Sequence, residues 1–190
     1  MKKIKKVFSL LPMLIIWLMI SVFLWGFVFT RITDTDPLHK VTLFIDCQVP
    51  GNVELAVELE KNKQEIGIRM VKVHPFTYAM LDSSALRQAD LYIVRQSDID
   101  EYADWFVQLP EEMLVYPELL NRDGIALGIR IYSAETAEGA ADQYIDYTAD
   151  GTINEDYFLL FGKESVHVPE NDGVVDGAAL DVARSLLSMP

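Results

Sequence analysis

Asp46, Cys47 and His74 are the residues of this chain whose types could make and break bonds together. Asp46 and Cys47 directly follow a short apolar run at 41–45, and His74 directly follows another at 66–73. The carboxyl ends of strands in an open α/β sheet face the crevice where ligands bind, and a thiolate nucleophile, an imidazole base and an orienting carboxylate placed there make a hydrolytic site. Nothing in the spacing brings Cys47 to His74, and a small buried thiol after a strand is the simpler account of a lone cysteine. The expectation is a noncatalytic domain, with a cell-surface hydrolase using Cys47, His74 and Asp46 as the alternative.

A second set of oxygen donors lies further on. Asp146, Thr148, Asp150 and Asn154 stand at positions one, three, five and nine of a stretch that resembles the start of a calcium-binding loop, with Gly151 at six and Ile153 at eight. Tyr157 occupies position twelve, where a bidentate carboxylate is required, and the following YFLLFG reads as a strand rather than an exiting helix. An ordinary turn at Asp150-Gly151 is therefore expected, and no metal or cofactor is implied. His39, His74 and His167 are too scattered for tetrahedral zinc, and His39 and His167 read as surface residues. With one cysteine no intramolecular disulfide can form, so stability must come from an apolar core, which a 51% hydrophobic composition can supply.

Charge and hydropathy divide the chain. Residues 7–30 run 24 positions without a charge, long enough as a helix of about 36 Å to cross a hydrocarbon core of about 30 Å. Lys2, Lys3, Lys5 and Lys6 precede this run and Arg31 follows it, so the positive-inside bias places residues 1–6 in the cytoplasm and the remainder outside. A cleavable signal peptide would have a shorter apolar run and small residues at its exit, where this chain has Phe27, Val28 and Phe29. Trp25 suits the outer interface. The organisation expected is a basic tail at 1–6, a signal-anchor helix at 7–30, a short tether at 31–40 and an extracytoplasmic domain at 41–190 of a single-pass protein of the bacterial cell membrane. Eleven of the sixteen Lys and Arg follow residue 31, against all twenty-nine acidic residues. That surplus repels phosphate backbones, which argues against nucleic acid and for a protein or a neutral or cationic solute as partner.

The elements that would position the candidate residues alternate. A strand at 41–46 is followed by Pro50-Gly51-Asn52, a turn and N-cap, and then a helix whose apolar face is read as Val53, Ala56, Val57 and Leu59. A strand at 66–73, a helix at 78–87 and a strand at 91–94 come next, which calls for a parallel sheet with right-handed crossovers. Ser97 opens a short helix that Pro110 ends. Residues 125–131 alternate as a strand read as antiparallel, a helix is expected at 135–147, a strand at 157–161 and a closing helix at 176–188 with Ala179, Val182, Ala183 and Leu186 buried. Tyr92, Trp105, Phe106 and Phe158 read as core. The fold class is α/β, a three-layer, mostly parallel sheet with one antiparallel strand, preceded by one transmembrane helix.

The run from Lys40 to Asp46, the run from Ala89 to Val94, the acidic Ser97 to Tyr102 segment, Leu109-Pro110 and the strand after Asp123-Gly124 together resemble the first lobe of extracellular solute-binding proteins of ABC transporters. Residues 157–188 resemble the closing strand and helix of that periplasmic-binding-protein-like lobe. The resemblance implies a ligand or partner surface at the strand ends, formed by Asp46, Gln48, Asn52, His74, Thr77, Arg95, Ser97 and Asp98. Family members close two lobes over a ligand, whereas the short stretch between 133 and 157 has no room for a second. The surface is then expected to meet a membrane transporter or another cell-surface protein, or to hold a small solute in part, as an accessory or sensory component.

Overall fold

The computed structural model describes residues 2–29, 36–61, 67–75, 83–148, 155–168 and 177–190, with the side chains of the first helix described from Pro12 to Val28. The chain forms two compact units, Met1–Asp36 and Pro37–Pro190. In the first, α1 (Lys2–Phe23) continues into a π-helical turn at Leu24–Phe29. Its described side chains are exposed and, Ser21 apart, apolar, with Leu18 67% and Trp25 72% accessible. Among the described residues no helix is long and apolar enough to cross a membrane.

The second unit is built on one sheet. Its strands are β1 (Lys40–Ile45), β2 (Met70–Pro75), β3 (Leu91–Arg95), β4 (Phe106–Val107), β5 (Leu119–Arg122), β6 (Ile125–Ser133), β7 (Glu138–Gly139) and β8 (Tyr157–Gly162). Its helices are α2 (Asn52–Glu60), α3 (Ser84–Arg87) and α4 (Ala178–Leu187). The strand order is β2-β1-β3-β8-β6-β5, with β4 beside β8 and β7 beside β6. β1 pairs in parallel with β2 and β3, whereas β8 runs against β3, β6 against β8 and β5 against β6. β6 is thus antiparallel to both neighbours, as its sequence suggests, yet points the same way as β1 to β3. The reversed strand at the centre is β8.

Alternation along the strands feeds two cores. Val41, Leu43, Ile45, Ile93, Leu159 and Phe161 face α2 and α4, while Phe44, Tyr92, Val94, Phe158 and Leu160 face Leu86 of α3 and the 3-10 turns that carry Ile99 and Tyr102. All six residues of β8 are buried, which explains why YFLLFG is apolar throughout. Gly162 ends it because a Cβ there would lie 2.0 Å from the Ala89 carbonyl oxygen. Tyr92, Phe106 and Phe158 are core as expected, with Trp105 half-buried against them.

Several expectations are corrected. α2 buries Leu55 and Leu59, leaving Val53 and Val57 exposed; apolar residues span more than half of this helix's circumference, and the leucines reach the sheet. The short helix after Ser97 is a pair of 3-10 turns, Gln96–Asp98 and Ala103–Trp105. No helix forms at 135–147. Ala137 and Ala141 adopt left-handed backbone angles, φ 54° and 60°, and Glu138-Gly139 pairs with the end of β6 instead. His167 is 1% exposed rather than on the surface. The expected strand at 66–73 begins only at Met70, and of the expected helix at 78–87 residues 83–87 are described.

Burial leaves one carboxylate that needs its own account. Asp90, 3% exposed, accepts hydrogen bonds from the Thr42 N–H (2.7 Å) and the Ser165 hydroxyl (2.5 Å). Its backbone N–H donates to Thr42 O, and its carbonyl accepts from Gly162 N–H. On the edge strand, Glu60 of α2 accepts the Val71 N–H at 2.8 Å. Burial raises the pKa of Asp90 above the usual carboxylate value, outweighing the bonds from Ser165 and Thr42. The folded state then takes up this proton at a higher pH than the unfolded chain, so stability rises as pH falls from neutral towards about 4, the unperturbed aspartate value. We expect the thermal midpoint of the domain to rise over that window and the rise to flatten in Asp90→Asn. Asp90→Ala, which leaves two donors unpaired, should cost about 3 kcal/mol by urea denaturation.

Candidate functional site

In the order β2-β1-β3, the helix that leaves β1 packs into one core and the turns that leave β3 into the other, so the crevice expected of an open α/β fold lies between the carboxyl ends of β1 and β3. Asp46 and Arg95 occupy it. The Asp46 N–H donates to Ile93 O at 2.8 Å, which carries the β1–β3 ladder one residue past β1 and points the carboxylate at β3's end. Arg95 Nε and Nη2 then donate to its two oxygens at 3.0 and 3.3 Å, and Arg95 Nε also lies 3.3 Å from Asp98. Ser97 donates through Oγ to Asp98 and through its backbone N–H to Glu155. Asp46 and Arg95 are 10% and 15% exposed at their side chains, so the pair is largely withdrawn from water.

A short crossing covers this end of the sheet. Asp146 N–H donates to Gln48 O at 2.9 Å in an isolated antiparallel bridge, and Gly51 N–H approaches Tyr144 O at 3.4 Å. Ile145 and Tyr147 are buried behind the crossing, and Tyr147 stacks on Tyr132 with ring centres 4.7 Å apart and leans on Tyr157 at 5.3 Å. Tyr132 reaches this cluster through a bulge. The register with β8 shifts between Arg130 and Tyr132, so consecutive Ile131 and Tyr132 enter the same core.

The environment sets the acid-base character of each group. Burial raises the Asp46 carboxyl despite the Arg95 guanidinium, and burial followed by the Asp46 and Asp146 carboxylates pushes the Cys47 thiol far above its usual value. Burial, then Lys72 and Lys40, lowers His74. The His74 ring lies on Phe44, centres 5.3 Å apart, and among the described residues no hydrogen bond joins it to Cys47. Burial first, and then the neighbouring carboxylates, thus disfavour the thiolate form.

Of the residues expected at the strand ends, Asp46, Arg95, Ser97 and Asp98 form one hydrogen-bonded network, and Gln48 joins the crossing through its backbone. Asn52 is the first residue of α2, whose N-cap is Gly51 without a side-chain bond. Thr77 lies outside the described residues. Asp146 Oδ1 accepts both the N–H and the hydroxyl of Thr148 at 3.0 Å, a local turn, while Asp150 and Asn154 lie outside the described residues. Among the described residues no three His, Cys, Asp or Glu groups are placed to hold a metal.

A second polar cluster was not legible. Arg130 of β6 donates to both Glu118 oxygens (2.6 and 2.9 Å) and to Asp156 (3.0 Å), whose other oxygen accepts the Ala134 N–H. Clefts of about 220 and 230 Å³ flank this arginine, one lined by Tyr116, Ile129, Ala140 and Leu187, the other by Ser133, Thr136 and Glu138. The only hint was a charged residue in the middle of an apolar alternation.

No known family model matches the chain, and no curated protein matches it. Among solved structures, thiaminase I from Bacillus thiaminolyticus is 12% identical with a TM-score of 0.34 over 49% of this chain and 28% of its own. An N-glycan transport solute binding protein from Streptococcus pneumoniae is 10% identical with a TM-score of 0.34 over 50% and 25%. The matched region spans about a quarter of either protein. Likenesses of this size assign neither family nor activity.

Arg95→Ala leaves the Asp46 carboxylate withdrawn from water and unpaired, and should cost about 3 kcal/mol. The Asp46→Ala/Arg95→Ala double variant should recover at least about 1 kcal/mol of the summed single losses. Denaturant titration of the four proteins reads both. For Cys47, alkylation by iodoacetamide at pH 8 should be at least about tenfold slower in the folded protein than in urea, as followed by mass spectrometry.

Proposed function

We propose that this chain is a membrane-anchored, extracytoplasmic binding domain without catalytic activity, whose working surface is the covered end of the β1–β3 crevice. The observation that carries the reading is the Asp46–Arg95–Asp98 network. Arg95 fills the position where an open α/β sheet would admit a small ligand, and the crossing at 144–146 lies over the adjoining loop. What remains outward is a polar rim that includes Gln48, Gln96, Ser97 and Asp146. A rim without a deep enclosure suits a protein face better than a solute that must be buried to bind. The periplasmic-binding-protein-like order of the elements makes an accessory or sensory role beside a transporter the preferred setting, with the partner supplying the surface that a second lobe supplies elsewhere.

Anchoring is supported by the uncharged stretch at 7–30, its basic flank, and the exposed apolar side chains of its helical segment, which need a nonaqueous surrounding. The acidic composition of residues 32–190 favours a partner face bearing cations.

The test uses the full chain in its native membrane. Protease added to intact cells should digest residues 40–190, and alkaline carbonate should leave the chain in the membrane pellet. A photoreactive side chain at Ser97 or Gln48 should give one discrete adduct that the same group at Val115, on an exposed turn away from the rim, does not give. Release by carbonate would end the anchoring reading, and identical adduct patterns at all three positions would end the assignment of the surface.

A further inference from the structure

β5 (Leu119–Arg122) ends the sheet, and among the described residues no strand pairs with its outer side. That outer side is regular. Arg130 N–H donates to Glu118 O at 2.8 Å, so Glu118 bonds towards β6, and alternation along an antiparallel pair turns the N–H and C=O of Leu119 and Asn121 outwards. The register shift beside Leu120 falls on β6, where Leu127 is the extra residue, and leaves the alternation of β5 unbroken. Asn121 Nδ2 reaches the Leu119 carbonyl at 3.4 Å, a long bond that covers one outward acceptor from within the strand. The run ELLNR at 118–122 has neither the proline nor the lysine that commonly blocks an edge.

The order of residues in that run is its own complement. In an antiparallel pair with a second copy of itself centred on Leu120, Leu120 faces Leu120, Leu119 faces Asn121 and Glu118 faces Arg122, the last two pairings each occurring twice. The outward groups of Leu119 and Asn121 then meet as hydrogen-bonded pairs, and Glu118 and Arg122 as the closer pairs in which side chains interact most. A slip of one residue would set the outward groups against ones already bonded to β6. Both charges can accept the added contact. Glu118 is 49% exposed beside Arg130, and Arg122 is 39% exposed beside Asp100. A carboxylate accepts about four hydrogen bonds and a guanidinium donates about five, so neither has to leave its present partner.

Apolar exposure collects at the same edge. Of the six large apolar side chains exposed among the described residues of this unit, Leu114, Val115 and Ile125 stand shortly before and after β5, the others being Val53, Val57 and Val166. The antiparallel arrangement lays the hairpin end that carries Ile125 in one copy beside the turn that carries Leu114 and Val115 in the other.

We infer that β5 is a self-pairing edge through which two copies of this chain join their sheets about a two-fold axis at Leu120. β8 and β6 separate β3 from β5 in the sheet, so the inference does not rest on the reading of the β1–β3 crevice.

Oxidative cross-linking of the full chain in detergent tests the pairing. In a Cys47→Ala background, Leu120→Cys places two thiols at the axis within bonding reach and should give a disulfide-linked dimer. Val57→Cys, exposed on α2, should give at least about tenfold less. Arg122→Glu, added to Leu120→Cys, sets Glu118 against a second carboxylate at both ends and should lower the yield at least about tenfold, as should Glu118→Arg. Mixing these two variants should restore the link between unlike copies, told apart by mass, to within about threefold of the parent. If Leu120→Cys does not accumulate, Asn121→Cys, exposed and diagonal to its counterpart, serves with a short bismaleimide. No self-link at either position, equal yields at residues 57 and 120, or an undiminished yield in Arg122→Glu would overturn the inference, and so would a link from Leu120→Cys to a different protein in native membranes. Absence of the self-link alongside a discrete adduct at Ser97 would strike the dimer and leave the crevice reading standing.

Discussion

A carboxylate sealed inside a sheet protein is tolerable only if its oxygens are hydrogen-bonded, and Asp90 meets that condition by drawing three parts of the chain together. Its side chain binds Thr42 of β1 and Ser165 beyond β8, and its backbone binds Thr42 and Gly162. The parallel pair β1–β3 and the antiparallel pair β3–β8 therefore start from one polar point. Close approach there excludes a side chain at Gly162, and the same point supports His167 at the mouth of the domain. A hydrophobic sheet would hold together without this residue; Asp90 adds to its apolar register a polar point that ties the end of β8 and the middle of β1 to the start of β3.

What the sequence made plain followed from periodicity. β1, β3, β8 and α4 announce themselves because their residues are buried on both faces, or on one face at a regular interval. The elements that escaped are those whose form is dictated from elsewhere. β4 and β7 are two residues long and pair only with the ends of β8 and β6. Residues 135–147 contain good helix formers, yet Gly139 is packed so tightly on Tyr132 that a Cβ would come within 2.8 Å of the ring, and the chain must turn instead. For α2 the composition permitted more than one buried face, and the face that carries Leu55 and Leu59 is the one turned to the sheet.

The candidate site was legible in part for a related reason. Asp46 and Arg95 follow apolar runs that had to be neighbouring strands, so their meeting at the strand ends could be anticipated from order alone. That they would satisfy each other could not, because it depends on the β1–β3 ladder continuing one residue past β1. Glu155 and Asp156 gave no warning, since the fold alone decides that they meet Ser97 and Arg130. His167 looked like an isolated polar residue near a loop, and only the fold reveals that the opposite end of the domain supplies its acceptors.

The bond from the Val71 amide to Glu60 has a consequence for life in a crowded compartment. β2 borders the sheet, and a bordering strand offers its outward amides to any extended peptide that drifts by. Here the outward donor at Val71 is already taken by a carboxylate of the chain's own helix, and the strand ends in Pro75, which has no amide hydrogen to offer. Stacking of a further strand on this side is thereby discouraged at two positions.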